Sequence, residues 1–299
     1  MNKKVVVTGG AGFIGAHLAK HLLDNGYEVH VVDNLVGGKK EKVPSGATFH
    51  EVDIREDTAL AEIFKNTEYV FHMAALPRVQ FSLDNPKEAH DTNVNGTLQV
   101  LISAHEAGVK RVIFSSSSSV YGDQPVLPVK EYMIPAPKSP YALHKRIGEE
   151  YCYLWSEVFN LETVCLRYFN VYGAGQDPDG PYALVVGKFL KFKQLGQPLT
   201  ITSDGEQTRD FTHVGDVVRA VLLAATCDKV GKGEIINIGA GRAQTVNRIA
   251  ELIGGTKEYI PPRLEPRHTQ ADINKAKELL GWQPEVLFED GIAELLKSL

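Results

Sequence analysis

Cysteine is scarce in this 299-residue chain: Cys152, Cys165 and Cys227 are the only three. They are too few and too scattered for a disulfide framework or a zinc site, and a reducing cytoplasm suits them. No apolar run approaches the ~18 residues of a membrane span. A strong excess of either charge is also missing, with 32 Lys and Arg interspersed among 37 Asp and Glu. That balance argues against a nucleic-acid or membrane-surface partner. The N-terminus, MNKKVVVTGG, has a basic start but an apolar run of only three valines. A signal peptide needs a longer apolar region, so this start reads as the first strand of a fold. Metal ligands are short as well. His17 and His21 have the spacing of a metal pair on a helix, but no third ligand accompanies them, and they read as ordinary helix surface. No internal repeat and no long disordered linker is present.

What the chain does have is 43% hydrophobic residues, enough for a large core in one big domain or two lobes. Short β-rich runs alternate with helical stretches. Strands are expected at 3–9, 28–33, 47–53, 68–74, 111–116 and 163–169, with helices at 16–26, 88–107 and 140–158. Continuous apolar strands separated by helices indicate a parallel sheet covered on both faces. Right-handed crossovers then make it α/β, a Rossmann-type doubly wound sheet. After about residue 170 Pro and Gly cluster, and a smaller C-terminal lobe is expected there. The expected division is 1–170, with chain returns near 210–240, and 171–299.

TGGAGFIG (8–15) follows the first strand and opens the first helix. Gly9, Gly12 and Gly15 permit a tight turn, a close approach to a pyrophosphate and close helix–strand packing. The helix start adds free N–H groups for the anion. Asp33 closes the second strand, where a carboxylate accepts from ribose hydroxyls and repels a 2′-phosphate, which favours NAD over NADP. Lys39 and Lys40 weaken that preference slightly. Asp53, in VDIR, ends the third strand within reach of an adenine.

SPYALHK (139–145) puts Tyr141 and Lys145 four apart on one helix face. A free tyrosine has a pKa near ~10, too high for a good base at neutral pH. A nearby ammonium favours the phenolate, so the pair is expected to serve as a tuned general acid/base. Just upstream, FSSSSSVYG (114–122) is flanked by RVIF and VYG, which marks a strand's C-terminal edge rather than a linker.

TGGAGFIG, Asp33, VDIR, HMAA (72–75), NVNGT (93–97), the serine run with VYG, YxxxK, RYFNVYG (167–173), RDFTHVGDVVRA (209–220) and GWQP (281–284) occur in order. This series resembles the extended short-chain dehydrogenase/reductase family, in its nucleotide-sugar epimerase branch. The resemblance runs from residue 3 to about 295. It implies Ser117, Tyr141 and Lys145 as the catalytic trio. Around NAD it implies Phe13, Ile14, Asn34, Ile54, Ala74, Ala75, Thr92 and Phe169, besides the glycines, Asp33 and Asp53. For the substrate it implies Asn170 and Arg209 at a diphosphate, and Arg78 near the sugar. The Arg-Pro-Gly-Glu that related chains often carry is missing from PPRLEPRHTQADI (261–273), so either Arg263 or Arg267 supplies a second phosphate contact. Thr269 occupies the position that influences which sugars fit, and its small size leaves room for an N-acetyl group.

The resemblance also bears on the reaction. Related dehydratases and decarboxylases carry carboxylates just before the aromatic-glycine pair, where this chain has Ser118 and Ser119. A hydroxyl of normal pKa does not replace a carboxylate in removing a C5 proton. What remains is 4-epimerisation of a UDP-sugar through a transient ketone, with UDP-glucose and UDP-galactose expected and the N-acetylated pair kept open. Another nucleotide-sugar epimerase, a 4-keto-sugar reductase or a non-catalytic dinucleotide sensor are the competing readings. A homodimer is expected through the helices at 88–107 and 140–158.

Overall fold

The computed structural model describes residues 3–77, 79–178, 185–261 and 267–299; Arg78 and Arg263 lie outside them. The first half builds β1 (Lys4–Thr8), α1 (Phe13–Asp24), β2 (Glu28–Asp33), β3 (Thr48–Glu51), α2 (Asp57–Phe64) and β4 (Tyr69–His72). Then come α3 (Val79–Asp84), α4 (Pro86–His90), α5 (Gly96–Glu106), β5 (Arg111–Ser117), α6 (Pro140–Phe159) and β6 (Glu162–Tyr168). The second half adds β7 (Val171–Tyr172), α7 (Val185–Gln194), β8 (Leu199–Thr202), β9 (Thr208–Asp210), β10 (Thr212–His213) and α8 (Val214–Thr226). It ends with β11 (Lys232–Ile238), β12 (Ala243–Thr245), α9 (Val246–Ile253), β13 (Lys257–Ile260), α10 (Asn274–Leu280) and α11 (Phe288–Lys297).

The main sheet has seven strands in the order β11-β6-β5-β4-β1-β2-β3. Every pairing in it is parallel. This is the doubly wound sheet that the alternating pattern predicts, and the strand order reverses between β1 and β4. The valines of β1 explain the two-sided cover. Val5 and Val7 join one buried cluster with α1 and α8, while Val6 joins another with α2, α5 and α6. A third cluster, with Phe189, Ile201, Ile249, Phe288 and Ile292, packs α7, α9 and α11 over β8. Among the described residues, no helix is long and apolar enough to cross a membrane.

Two helix boundaries differ from expectation. α1 begins at Phe13, three residues early, because Gly12 itself is the N-cap. The helix expected over 88–107 is interrupted by a π-helical turn, Asp91–Asn95. There the Asn93 side chain accepts from the Leu76 N–H at 2.7 Å and donates to its carbonyl at 3.1 Å. A buried amide with both ends bonded to a loop is worth more than one regular helical turn. α6 keeps its expected place: Ser139 caps it by accepting from Ala142 N–H, and Asn160 closes it in the left-handed region.

Candidate active site

The C-terminal edges of β1, β2, β4 and β5 meet at the reversal of strand order, where ligands of such sheets gather. Two glycines of the first turn are there for the protein itself. Gly9 has φ +70°, and an added Cβ would sit 2.6 Å from Ala74 N; at Gly15 the same atom would sit 2.2 Å from Gly9 O. Gly12 is different. Its Cβ would meet only Gly9 O, at 3.2 Å, and would otherwise fill open space in front of the α1 N-terminus. The first-turn N–H groups, those of Phe13, Ile14 and Gly15, have no intrahelical acceptor. A cradle of this shape fits a pyrophosphate.

Asp33 is buried at the end of β2 and accepts from Ala11 N–H at 3.0 Å and Leu35 N–H at 2.8 Å. Gly38 packs against the same carboxylate. A carboxylate has about four acceptor positions, so these bonds fix it in place and still leave it able to accept from a ligand. Lys40, one of the two lysines nearby, lies over the Phe49 ring instead.

Asp53 is half-buried and held by its neighbours. Its carboxylate takes a two-bond fork from Arg55, at 2.8 and 2.7 Å, and a third bond from Asn34. The Arg55 guanidinium holds its pKa down at about 2. Arg55 also pairs with Asp91, which ties this corner to the π-helical turn that carries Thr92. Ile54 is buried where Gly96 leaves it room. Ala74 N–H donates to Thr8, and Asn93 clamps Leu76, so the loop holding Ala74 and Ala75 is fixed at both ends. His72 lies between Thr8 and Thr97 at 2.8 and 2.9 Å, and burial pushes its pKa down to about 3, so it stays neutral.

β5 and α6 bring the reactive trio together. Ser117 ends β5 and accepts from Ser119 N–H. Burial pushes Tyr141 up to about 12, opposed only in part by the neighbouring Ser117 hydroxyl. The lowering expected from Lys145 is not found. The Lys145 ammonium is turned to the Ser115 carbonyl at 2.7 Å and lies over the Phe114 ring, 5.9 Å from the centre of the Tyr141 ring. Burial pushes Lys145 down to about 8, so it still holds its proton at neutral pH.

The second half contributes a separate wall. Asn170, with φ +29°, donates to the Asp210 carbonyl at 2.8 Å. Arg209 on β9 donates to the carbonyls of Thr208 and Arg267. Thr269 N–H bonds the Thr208 carbonyl, so Arg209 and Thr269 share one small ribbon, and the buried Thr269 hydroxyl finds no partner among the described residues. The Arg267 side chain is exposed and paired with Asp204 at 2.7 Å. The Phe169 ring is packed in the core beside Tyr121. Asp210, unnoticed in the sequence, pins the ribbon: its buried carboxylate accepts from Ala240, Gly241 and Ala271 N–H groups, and burial lifts its pKa to about 6.

Residues 5–239 match the NAD dependent epimerase/dehydratase family. The chain belongs to that family. Its member in Methanocaldococcus jannaschii, a putative UDP-glucose 4-epimerase, is 40% identical over 98% of this chain and 97% of its own. The UDP-glucose 4-epimerase of Thermotoga maritima, solved with UDP-glucose, is 42% identical, with a TM-score of 0.93 over 98% of this chain and 97% of its own. The enzyme of the same name from Thermus thermophilus, solved with NAD, is 35% identical, with a TM-score of 0.90 over 98% of both chains. The roles of Arg55 and Asp210 are additions that only the fold reveals, although VDIR and RDFTHVGD contain them.

Proposed function

We propose that this protein is an NAD-dependent 4-epimerase of UDP-hexoses, acting on UDP-glucose and UDP-galactose. The observation that carries the reading is the makeup of the β5 edge. Ser117 closes the strand there, and the next two positions, Ser118 and Ser119, are hydroxyls in a short helical turn rather than carboxylates. Proton handling at C4 is supplied; a base for C5 is not.

In this reading NAD, when bound, supplies the redox chemistry at C4. Tyr141 exchanges a proton with the sugar 4-hydroxyl, Ser117 shares that proton, and the Lys145 cation stabilises the phenolate. The 4-keto sugar then presents its other face. Asn170 and Arg209 hold the diphosphate during that turn, which suits a guanidinium fork. Thr269 is small, so the N-acetylated pair remains within the proposal. Residues 1–170, with returns near 210–240, bind the dinucleotide, and 171–299 bind mainly the sugar nucleotide.

Incubation with UDP-glucose, UDP-galactose and their N-acetyl forms, followed by NMR, should show inversion at C4. No inversion in any of them, with NAD bound, overturns the reading. Consumption of added NADH with a keto-sugar and no inversion points to a reductase, and NAD binding with every sugar unchanged points to a sensor.

Asp33→Ala should purify with at least about tenfold less NAD, because bonds to a charged acceptor are worth about 1.5–3 kcal/mol each. An undiminished NAD content would remove Asp33 from the ribose site. The same proposal includes a homodimer in the cytoplasm. α6 leaves Leu143, Tyr153, Leu154, Val158 and Phe159 exposed, and all three cysteines are free. A single-chain mass by light scattering would refute the dimer.

A further inference from the structure

Behind the reacting edge of β5 lies a buried ion pair that the proposed chemistry does not use. Glu149 on α6 is 1% exposed and Arg167 on β6 is fully buried. Arg167 grips the carboxylate with two bonds of 2.7 Å. Ser116 adds a third at 2.6 Å, and Arg146 a fourth at 3.2 Å. Ser116 and Arg167 are direct neighbours across the β5–β6 pairing, so Glu149 reads the register of both strands at once. On its other side Arg167 stacks 4.5 Å over the Tyr121 ring, whose hydroxyl donates to Asn237 on β11.

Such a pair is a poor device for stability alone, because apolar residues of similar volume often hold a fold as well or better. Its placement suggests another use. Tyr141, Lys145 and Glu149 succeed one another at intervals of four along one face of α6. Lys145 bonds the carbonyl of Ser115 and Glu149 the hydroxyl of Ser116, two consecutive residues of β5. Between them Gly148 lets α6 close on Phe114; a Cβ there would sit 2.4 Å from the ring. Apolar packing alone lets a helix shift and turn by small amounts, whereas these directional bonds do not.

We propose that Glu149, locked by Arg167 and Ser116, is a positioning residue for the Tyr141–Lys145 pair: it sets the height and rotation of α6 against β5. The catalytic half of this inference rests on the epimerase reading; the placement of the Lys145 ammonium does not.

The test is a double variant, Glu149→Met with Arg167→Met, in which no buried charge is left unpaired. It should keep the wild-type melting temperature and the KM for the UDP-hexose, yet lose about 10- to 100-fold in kcat, the usual penalty for a small misplacement of reacting groups. The Lys145 side-chain signals, followed by NMR of labelled lysine, should shift, because the ammonium loses its fixed place at the Ser115 carbonyl. Ser116→Ala, which retains the ion pair and folds, should lower kcat by a smaller factor at unchanged KM. Wild-type kcat in the double variant, or in Ser116→Ala if the double variant does not fold, overturns the positioning role. Unmoved Lys145 signals overturn the placement of the ammonium. If the wild-type protein inverts no UDP-hexose, the epimerase reading fails by itself, and the lysine signals still decide.

Discussion

A Tyr141→Phe variant is expected to lose about 10²- to 10⁴-fold in the rate of C4 inversion, the range that a positioned acid/base contributes. It should keep its NAD and its fold. The substitution removes one oxygen close to the Ser117 hydroxyl, which is itself held by the Ser119 N–H. Little packing is lost, so the melting temperature should barely move. The proton, by contrast, has nowhere else to go. Ser117 is a poor base by itself, Lys145 is turned to the Ser115 carbonyl, and His72 is engaged on both ring nitrogens and neutral. The expected result is therefore a protein that binds NAD and UDP-hexose and does not interconvert the sugars. Proton NMR of the sugar mixture checks the rate, and absorbance of the released cofactor checks the NAD content. Wild-type turnover in this variant would refute Tyr141 as the base. Loss of NAD together with turnover would move its role to cofactor binding.

The sheet was legible because its strands are written as apolar runs. VVV, EVHVVD and RVIFSS define β1, β2 and β5 to within a residue or two, and their continuous burial predicts cover on both faces. The glycine turn and YxxxK were equally plain, since each is local: its members lie within one turn or one helix face. What the sequence did not disclose depends on pairing between distant elements. Arg55 captures Asp53 locally but reaches Asp91 only because α4 folds back beside it. Glu149 meets Arg167 through the β5–β6 register, and Asp210 collects N–H groups from β11's end and from Ala271. The direction of the Tyr141 shift was hidden for the same reason. Spacing along a helix tells which groups are near, but burial is set by everything that packs around them, and here burial sets the direction.

Gly15→Ala is expected to cost about 3 kcal/mol or more of stability and to abolish NAD binding. Two influences oppose each other. Alanine is the better helix former by about 1 kcal/mol, and Gly15 lies inside α1. The added Cβ, however, would stand 2.2 Å from Gly9 O, 2.8 Å from Gly10 Cα and 2.9 Å from Gly9 C. All three atoms are backbone, so no side-chain rotation relieves the overlap. The turn has no room to retreat either, because Gly9 N–H is bonded to the Val32 carbonyl at 2.7 Å and Gly9 itself presses on Ala74. Either α1 lifts from the sheet or the turn breaks, and both outcomes dismantle the cradle. Gly12→Ala separates the two effects. Its Cβ meets only Gly9 O at 3.2 Å, so stability should change by no more than about 1 kcal/mol, the scale of an N-cap substitution. Yet the methyl group would stand where a pyrophosphate has to approach the backbone. Gly15→Ala should thus lose fold and cofactor together, and Gly12→Ala the cofactor alone, as read by thermal unfolding and by NAD content. A Gly12→Ala protein that keeps its full NAD would mean that the dinucleotide does not pass over this turn.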